Sequence, residues 1–439
     1  MSKETIEIFE HEIDHTTEIK YDELEKQDEK ILNQLKQEKI INYSFTGGSN
    51  SLLQISTNSF IGSLNLIGPN KRINILPKIF KDNANKWKNI HVFLDYAMSD
   101  NFDFLESARH YYDQSSESTF SNILYMTLIF EYENLMKKGL LKSYVIHAEN
   151  TSSMRGKLLM QHQMLNDAMK KPQFFCEFDE LEYDSIENRV ILEALTVIER
   201  TSDNPRIRMK SMDLAQRLSG VVKKTSVPRI TRKRMMQSYN RQNLRYQRIH
   251  QVCDQIIDKS GIDDIYRGEN TYVIPVFYDM NVLFESFIQK LFQWCYNDED
   301  LKVETQFSEN AWTGQGELGN RSMRPDITIW NGKICENIID VKYKTKDIST
   351  GDLYQLGFYM HEFSEKYNPA QDQIKNAIAL TPKFTNAKSG MYESITGKQV
   401  FVKRIDVEAC LDIMKTSNWD SLKPIIKSWI EPRLNQTKI

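Results

Sequence analysis

The stretch "RPDITIWNGKICENIIDVKYK", residues 324–344, constrains the fold more than any other part of the chain. Two short apolar runs flank Asn331-Gly332, a pair that favours the tight two-residue turn of a β-hairpin. Side chains two apart on a strand share a face, so Glu336, Ile338, Asp340 and Lys342 line one side of the second run. Ile339, Val341 and Tyr343 line the other. An antiparallel return brings Asp326, at the entrance of the first strand, beside Asp340, near the exit of the second. Two carboxylates meeting without partners repel, and one is forced to keep its proton. A divalent cation removes that cost, and hard oxygen ligands suit magnesium. The Lys342 ammonium could then orient or help deprotonate a water, or offset charge on a phosphate. Glu336, counted onto the same face, is a reserve ligand.

The rest of the chain supplies context. A length of 439 residues is enough for two or three domains with substantial cores. Residues 1–84 read as a charged, exposed amphipathic helix over the first 40, followed by a β-rich domain. Its clearest element is the alternation at Leu64, Leu66, Ile73 and Ile75 around a Gly68-Pro69-Asn70 turn. Residues 85–265 read as a mainly helical middle domain. "SNILYMTLIFEYENLMKKGL" predicts a core helix stopping at Gly139, and "DSIENRVILEALTVIERTSD" a helix behind a serine cap. Residues 266–439 alternate helix and strand, with "SENAWTGQGELGNRSM" as a polar loop, which predicts an α/β/α sandwich with a mixed sheet.

Charge narrows the partners. The net charge of −3 makes the whole molecule a poor polyanion binder, so any nucleic-acid surface must be local. Residues 214–253 hold ten Lys or Arg and no Asp or Glu. Within them Arg229, Arg232, Lys233, Arg234, Arg241 and Arg245 are candidate phosphate contacts, with Tyr239 and Tyr246 interleaved. A solvated helix face explains the same pattern equally well. The five cysteines form no CxxC pair and suit a reducing cytoplasm, where they act as small core residues. The eight histidines have no metal-ligand spacing, and GxSxG is absent. Neither an apolar leader nor a run of 18 apolar residues occurs, so the expected location is cytoplasmic, with no membrane partner.

For an isolated Asp-x-Lys, a surface ion pair of small energetic worth is the ordinary reading. The complete order changes the weighting. Pro325-Asp326, a strand, then Asp340-Val341-Lys342 inside an apolar run resembles the PD-(D/E)xK nuclease signature. Gln355 and Tyr359, one turn apart in "YQLGFY", resemble the QxxxY motif of RecB-like members of that superfamily. "NVLFESFIQKLF", "RPDITIW", "IIDVKYK" and "DLYQLGFY" together resemble McrC, the nuclease subunit of modification-dependent McrBC restriction systems. "INILPKI", "RGKLLMQHQ" and "YDSIENRVILEAL" extend that likeness from about residue 40 to about residue 390.

The resemblance implies an α+β multidomain chain: an N-terminal β-rich domain, a central helical region and a C-terminal α/β/α restriction-endonuclease-like domain. It implies Asp326 and Asp340 as Mg²⁺ ligands, Lys342 as the catalytic lysine and Glu285 as an accessory acid. Gln355 and Tyr359 would position the lysine or a phosphate. GxxxxGK followed by Ser or Thr occurs nowhere, so the chain lacks the phosphate cradle for its own NTP hydrolysis. The implied partners are an McrB-like AAA+ GTPase, which would bind GTP and meet residues 1–84, and modified double-stranded DNA. Two other functions fit less of the pattern: an adaptor that activates an NTPase while holding DNA, and a stand-alone RecB-like repair nuclease.

Overall fold

In the computed structural model, residues 4–47, 51–98, 120–202, 204–261, 276–297, 301–314, 319–368, 374–384, 388–416 and 418–431 are described. The charged N-terminus does not begin as a helix. It forms strands β1 (Glu4–Phe9) and β2 (His15–Lys20) before helix α1 (Lys26–Gln37), which buries Ile31, Leu32 and Leu35. The alternation of Ile6 and Ile8 with Thr5 and Glu7 is a strand signal that the density of charge masks. Strands β3 (Ile41–Phe45) and β4 (Leu52–Thr57) join β2 in a sheet of order β2-β4-β3. Strands β5 (Phe60–Leu66) and β6 (Lys71–Leu76) form the expected hairpin, and β1 adds to β6 in parallel. Its turn needs glycine at position 68, where a Cβ would lie 2.0 Å from the Glu23 carbonyl oxygen. Buried Asp28 of α1 ties that turn down by accepting from the backbone N–H groups of Ile67 (2.7 Å) and Gly68 (2.9 Å).

The middle of the chain is helical with one interruption. Helices α2 (Lys86–Met98) and α3 (Phe120–Lys138) precede β7 (Ser143–Thr151), β8 (Lys157–Leu158), α4 (Met160–Ala168) and β9 (Phe174–Glu182). These three strands make a separate sheet of order β7-β9-β8, which helical periodicity did not announce. Helix α5 (Ile186–Thr201) starts at Ser185, whose side chain accepts from the Asn188 N–H as its sequence predicts. Helices α6 (Pro205–Ser219), α7 (Arg229–Met236) and α8 (Gln247–Gly261) follow.

Strand β10 (Val276–Asp279) returns to the N-terminal sheet and pairs antiparallel with β5. Helix α9 (Met280–Cys295) and β11 (Leu301–Thr305) come next. The expected polar loop contains a ribbon of β12 (Glu309–Trp312) and β13 (Arg321–Met323); its residues 315–318 lie outside the described set. Then come β14 (Ile327–Asn331), β15 (Ile334–Val341), α10 (Thr350–Tyr367), β16 (Asn376–Pro382), β17 (Gly390–Glu393), β18 (Gln399–Ile405), α11 (Val407–Met414) and α12 (Leu422–Ile430).

The resulting six-stranded sheet, β11-β14-β15-β16-β18-β17, is mixed: β14 and β15 pair antiparallel, β15, β16 and β18 run parallel. Its two faces have different neighbours. Ile327, Ile329, Ile339, Val341 and Tyr343 join a core with Phe284, Phe287 and Ile288 of α9 and with residues of α11 and α12. Trp330, Cys335 and Ile338 instead pack with Leu356, Met360 and Phe363 of α10. Burial of each such large side chain contributes roughly 1.5–3 kcal/mol, which fixes β15 firmly between two layers. The first of these cores also includes Ile61 and Leu76 of the N-terminal sheet and Leu195 and Ile256 of the central helices. The architecture is α+β with five sheets among the described residues. All five cysteines are buried and free. No helix among the described residues is long and apolar enough to cross a membrane.

Candidate active site

The hairpin places the two aspartates as its pattern predicts. Gly332 and Lys333 are the two loop residues, Gly332 with φ of 60°, and the ladder pairs Ile327 with Ile339. One step further along, Asp326 comes opposite Asp340. The Val341 N–H donates to Asp326 Oδ2 at 2.7 Å, while the Asp326 carbonyl oxygen accepts from the Gln306 N–H at 3.0 Å. Asp326 is therefore anchored by backbone on both sides, with Gln306 held in the left-handed region at φ 54°.

Asp340 is different. It is 1% exposed, and apart from the Lys342 ammonium neither carboxylate oxygen has a donor among the described residues. The Lys342 ammonium pairs with Oδ1 at 3.0 Å. Burial, then the Asp326 charge, push the Asp340 carboxyl up to about 7, with Lys342 pulling the other way. Asp326 is raised as well, chiefly by burial, against the lowering effect of the Val341 N–H. For Lys342 burial works downward, but Asp340 and Asp326 outweigh it and keep the side chain an ammonium. This is an over-acidic pocket of two buried carboxyls, both raised, beside one ammonium, where a cation would relieve the cost.

Glu285 reaches the same place from α9. Its carboxylate accepts from Gln289 Nε2 at 2.8 Å and from the Gln306 side chain, and burial raises its carboxyl above the ordinary range. Gln289 and Gln306 were not legible as site residues; their only signal is helical spacing in one case and the end of β11 in the other. Gln355 and Tyr359 touch each other, Nε2 to hydroxyl at 2.8 Å, and the Tyr359 hydroxyl accepts from the Arg324 N–H at 3.4 Å. They brace the Arg324-Pro325-Asp326 segment; among the described residues neither hydrogen-bonds Lys342. Glu336 leaves the site. A bulge at this residue shifts the register between Ile329–Asn337 and Trp330–Cys335, so counting back in twos from Asp340 fails there. Glu336 is exposed and accepts from Asn331 Nδ2 at 2.9 Å, at the hairpin end.

The basic segment resolves in the opposite way. Arg232 is 4% exposed and bonds Asp254 Oδ1 (2.7 Å), Asp258 and the Val227 carbonyl oxygen (2.8 Å), so it is a structural cation and not a phosphate contact. Arg229 pairs with Asp258 at 2.9 Å, and Arg245 donates to the Lys138 carbonyl oxygen at 3.4 Å. Lys233, Arg234 and Arg241 are exposed without an ion-pair partner among the described residues. Tyr246 is buried, donating to Asn188 Oδ1 (2.9 Å) and accepting from the Leu141 N–H (2.6 Å); half-buried Tyr239 bonds His250 Nδ1 at 2.9 Å. Neither ring is free for base stacking. Elsewhere, His147, Glu180 and Glu182 cluster on β7 and β9, but His147 Nε2 is 2.7 Å from Glu182 and Arg155 lies 3.5 Å from Glu180.

Comparison with known proteins identifies the family and a similar fold. A family profile described as "McrBC 5-methylcytosine restriction system component" matches residues 55–369. The fold is similar to a chain of the refined half-complex from the tetradecameric assembly of Thermococcus gammatolerans McrB AAA+ hexamers with bound McrC. That match has 16% identity and a TM-score of 0.65, covering 97% of this chain and 99% of that one. A chain of the cryo-EM structure of the Thermococcus gammatolerans McrBC complex matches at 20% identity and a TM-score of 0.49, covering 66% and 88%. Comparison with curated proteins gives no match.

Proposed function

The chain belongs to the McrBC 5-methylcytosine restriction system component family, and from that premise we propose that it is the Mg²⁺-dependent DNA-cutting subunit of a restriction complex. It works with, and stimulates, an McrB-like AAA+ GTPase that binds the GTP, on modified double-stranded DNA. Residues 1–84 are the proposed contact with that motor.

The observation that carries the reading is the Asp340 carboxylate, buried beside a second carboxylate with the Lys342 ammonium as its one donor among the described residues. Asp326 and Asp340 would hold the metal, since their oxygens are the hard donors a magnesium ion takes. When bound, that ion supplies charge neutralisation and Lewis acidity at a phosphodiester. Lys342, kept as an ammonium, offsets negative charge growing on the phosphate oxygens. Glu285 adds an accessory acidic group at the rim, and the Gln355–Tyr359 pair holds the segment bearing Asp326 in place. The test is plasmid cleavage in Mg²⁺ by the full chain, with and without the GTPase. Asp340→Ala should abolish cutting and leave GTPase stimulation intact. Surviving cleavage would refute the site; cleavage that ignores the GTPase would point to a stand-alone nuclease.

A further inference from the structure

The segment carrying Asp340 and Lys342, the end of β15 and the residues just past it, has a second buried polar contact, from the far end of the sequence. Tyr343, 4% exposed, donates its phenol to Glu10 Oε1, and Glu10 is fully buried. Glu10 also accepts from the Lys78 N–H at 2.9 Å, while its other oxygen has no donor. Around the phenol ring stand His11 at 6.5 Å, Phe284 at 5.6 Å and Phe384 at 6.2 Å between centroids. Phe284 adjoins Glu285 on α9, so the ring touches the supports of two site elements.

The turn delivering Glu10 is unusually well fixed. His11 and Asp14 both sit in the left-handed region, at φ 55° and 52°. Thr57 holds the turn by donating its hydroxyl to the Phe9 carbonyl oxygen (2.8 Å) and its N–H to the Glu12 carbonyl oxygen (2.9 Å). Glu12 closes it by accepting from the Phe9 N–H at 3.0 Å. Non-glycine residues at positive φ are uncommon and persist where the surroundings hold them. A buried carboxyl with an orphaned oxygen is costly and calls for a reason.

We infer that Glu10 is a positioning residue: through the Tyr343 phenol it sets the placement of the Asp340–Lys342 strand, making the N-terminal sheet part of the cutting apparatus. This rests on the reading of Asp326, Asp340 and Lys342 as the cleavage site. It gives the charged N-terminus a task, and it joins the proposed motor-contact region to the chemistry by one hydrogen bond.

The experiment compares Tyr343→Phe, Glu10→Ala and Glu10→Gln in the full chain. Single-turnover plasmid cleavage is measured with the GTPase present, and hydrogen exchange of residues 338–343 without metal. Tyr343→Phe and Glu10→Ala should each slow cutting about tenfold, the scale of lost support around metal ligands. Both should also speed exchange in 338–343 selectively. Glu10→Gln keeps an oxygen for the phenol and should restore most of both. Wild-type cutting and exchange in Tyr343→Phe, or a defect that Glu10→Gln does not relieve, overturns the inference. Asp340→Ala run in parallel separates the two levels. If it still cuts, the site reading fails; if it is inactive while Tyr343→Phe cuts normally, only the coupling fails.

Discussion

The hairpin at 326–342 and the basic segment at 214–253 raise the same question, charge where charge is costly, and the fold answers it in opposite ways. In the basic segment, Arg232 is buried but completed: two aspartates and a carbonyl oxygen satisfy its donors. At the hairpin, Asp340 is buried and left incomplete: among the described residues the Lys342 ammonium serves Oδ1 and nothing donates to Oδ2. A satisfied buried charge supports the fold, whereas an unsatisfied one costs stability and is retained for something outside the chain. Burial and charge together do not mark a site; the missing partner does.

The largest expected effect tests the incomplete side. Asp340→Asn keeps the shape and removes the charge. Cleavage in Mg²⁺ should fall by at least roughly a thousandfold, the size of several kcal/mol of lost metal assistance. Thermal melting without metal should show the variant as stable as the parent, or more so. A clear loss of stability would mean that Asp340 supports the fold as Arg232 does, and the contrast would collapse.

Arg232→Ala tests the completed side. It strands Asp254 and Asp258 beside a cavity, so denaturant unfolding should show a loss of about 3 kcal/mol. Cutting per folded molecule should not change. If DNA affinity drops while stability holds, Arg232 is a phosphate contact after all.

Acidity sharpens the contrast. The Asp340 carboxyl titrates near 7 in the folded protein against 3.8 for its ordinary value. Its folded value is raised, so its favourable contribution is complete below about 3.8 and is lost as pH climbs through about 7. The stability advantage of Asp340→Asn should therefore widen between pH 4 and pH 7 and then level off. Metal must displace the same proton, so Mg²⁺ affinity should rise about fivefold from pH 6 to pH 7 and by less than about twofold more above it. Isothermal titration across that range checks both the sign and the break. A flat profile would show that no proton is shared at the site.

What the sequence disclosed follows the range of the physics. The hairpin, the serine cap of α5 and the convergence of Asp326 with Asp340 depend on residues a few positions apart, and all were legible; the turn, expected at Asn331-Gly332, falls one residue later at Gly332-Lys333. Glu336 was misplaced because a single bulge reverses the face count, and Cys335 and Ile338 sharing one core is the only trace of it. The N-terminal strands were missed because β1 pairs in parallel with β6, some 65 residues on, and its charged alternate positions resemble a helix face. The partners of Arg229 and Arg232 lie at 254 and 258, just past the acid-free window, so the segment looked free of counter-charge. Glu10 and Tyr343 are 333 positions apart, and no local pattern could join them.

The smallest effect concerns the cations that the fold leaves over. Lys233 and Arg234 on α7 and Arg241 beyond it are exposed and unpaired among the described residues, so they are what remains of the expected DNA surface. Exposed substitutions of this kind shift stability by no more than about 0.5 kcal/mol, and replacing all three with alanine should leave melting unchanged. If they meet phosphates, DNA affinity at moderate salt should fall uniformly across sequences. The slope of log affinity against log salt should shrink by about 0.9 for each phosphate that is no longer neutralised. The slope decides the matter, because weaker affinity at constant slope would come from a distorted helix and not from released counterions. An unchanged slope with unchanged affinity would make the entire basic segment structural. The hairpin would then be the only place where this chain's charges wait for a ligand among the regions compared.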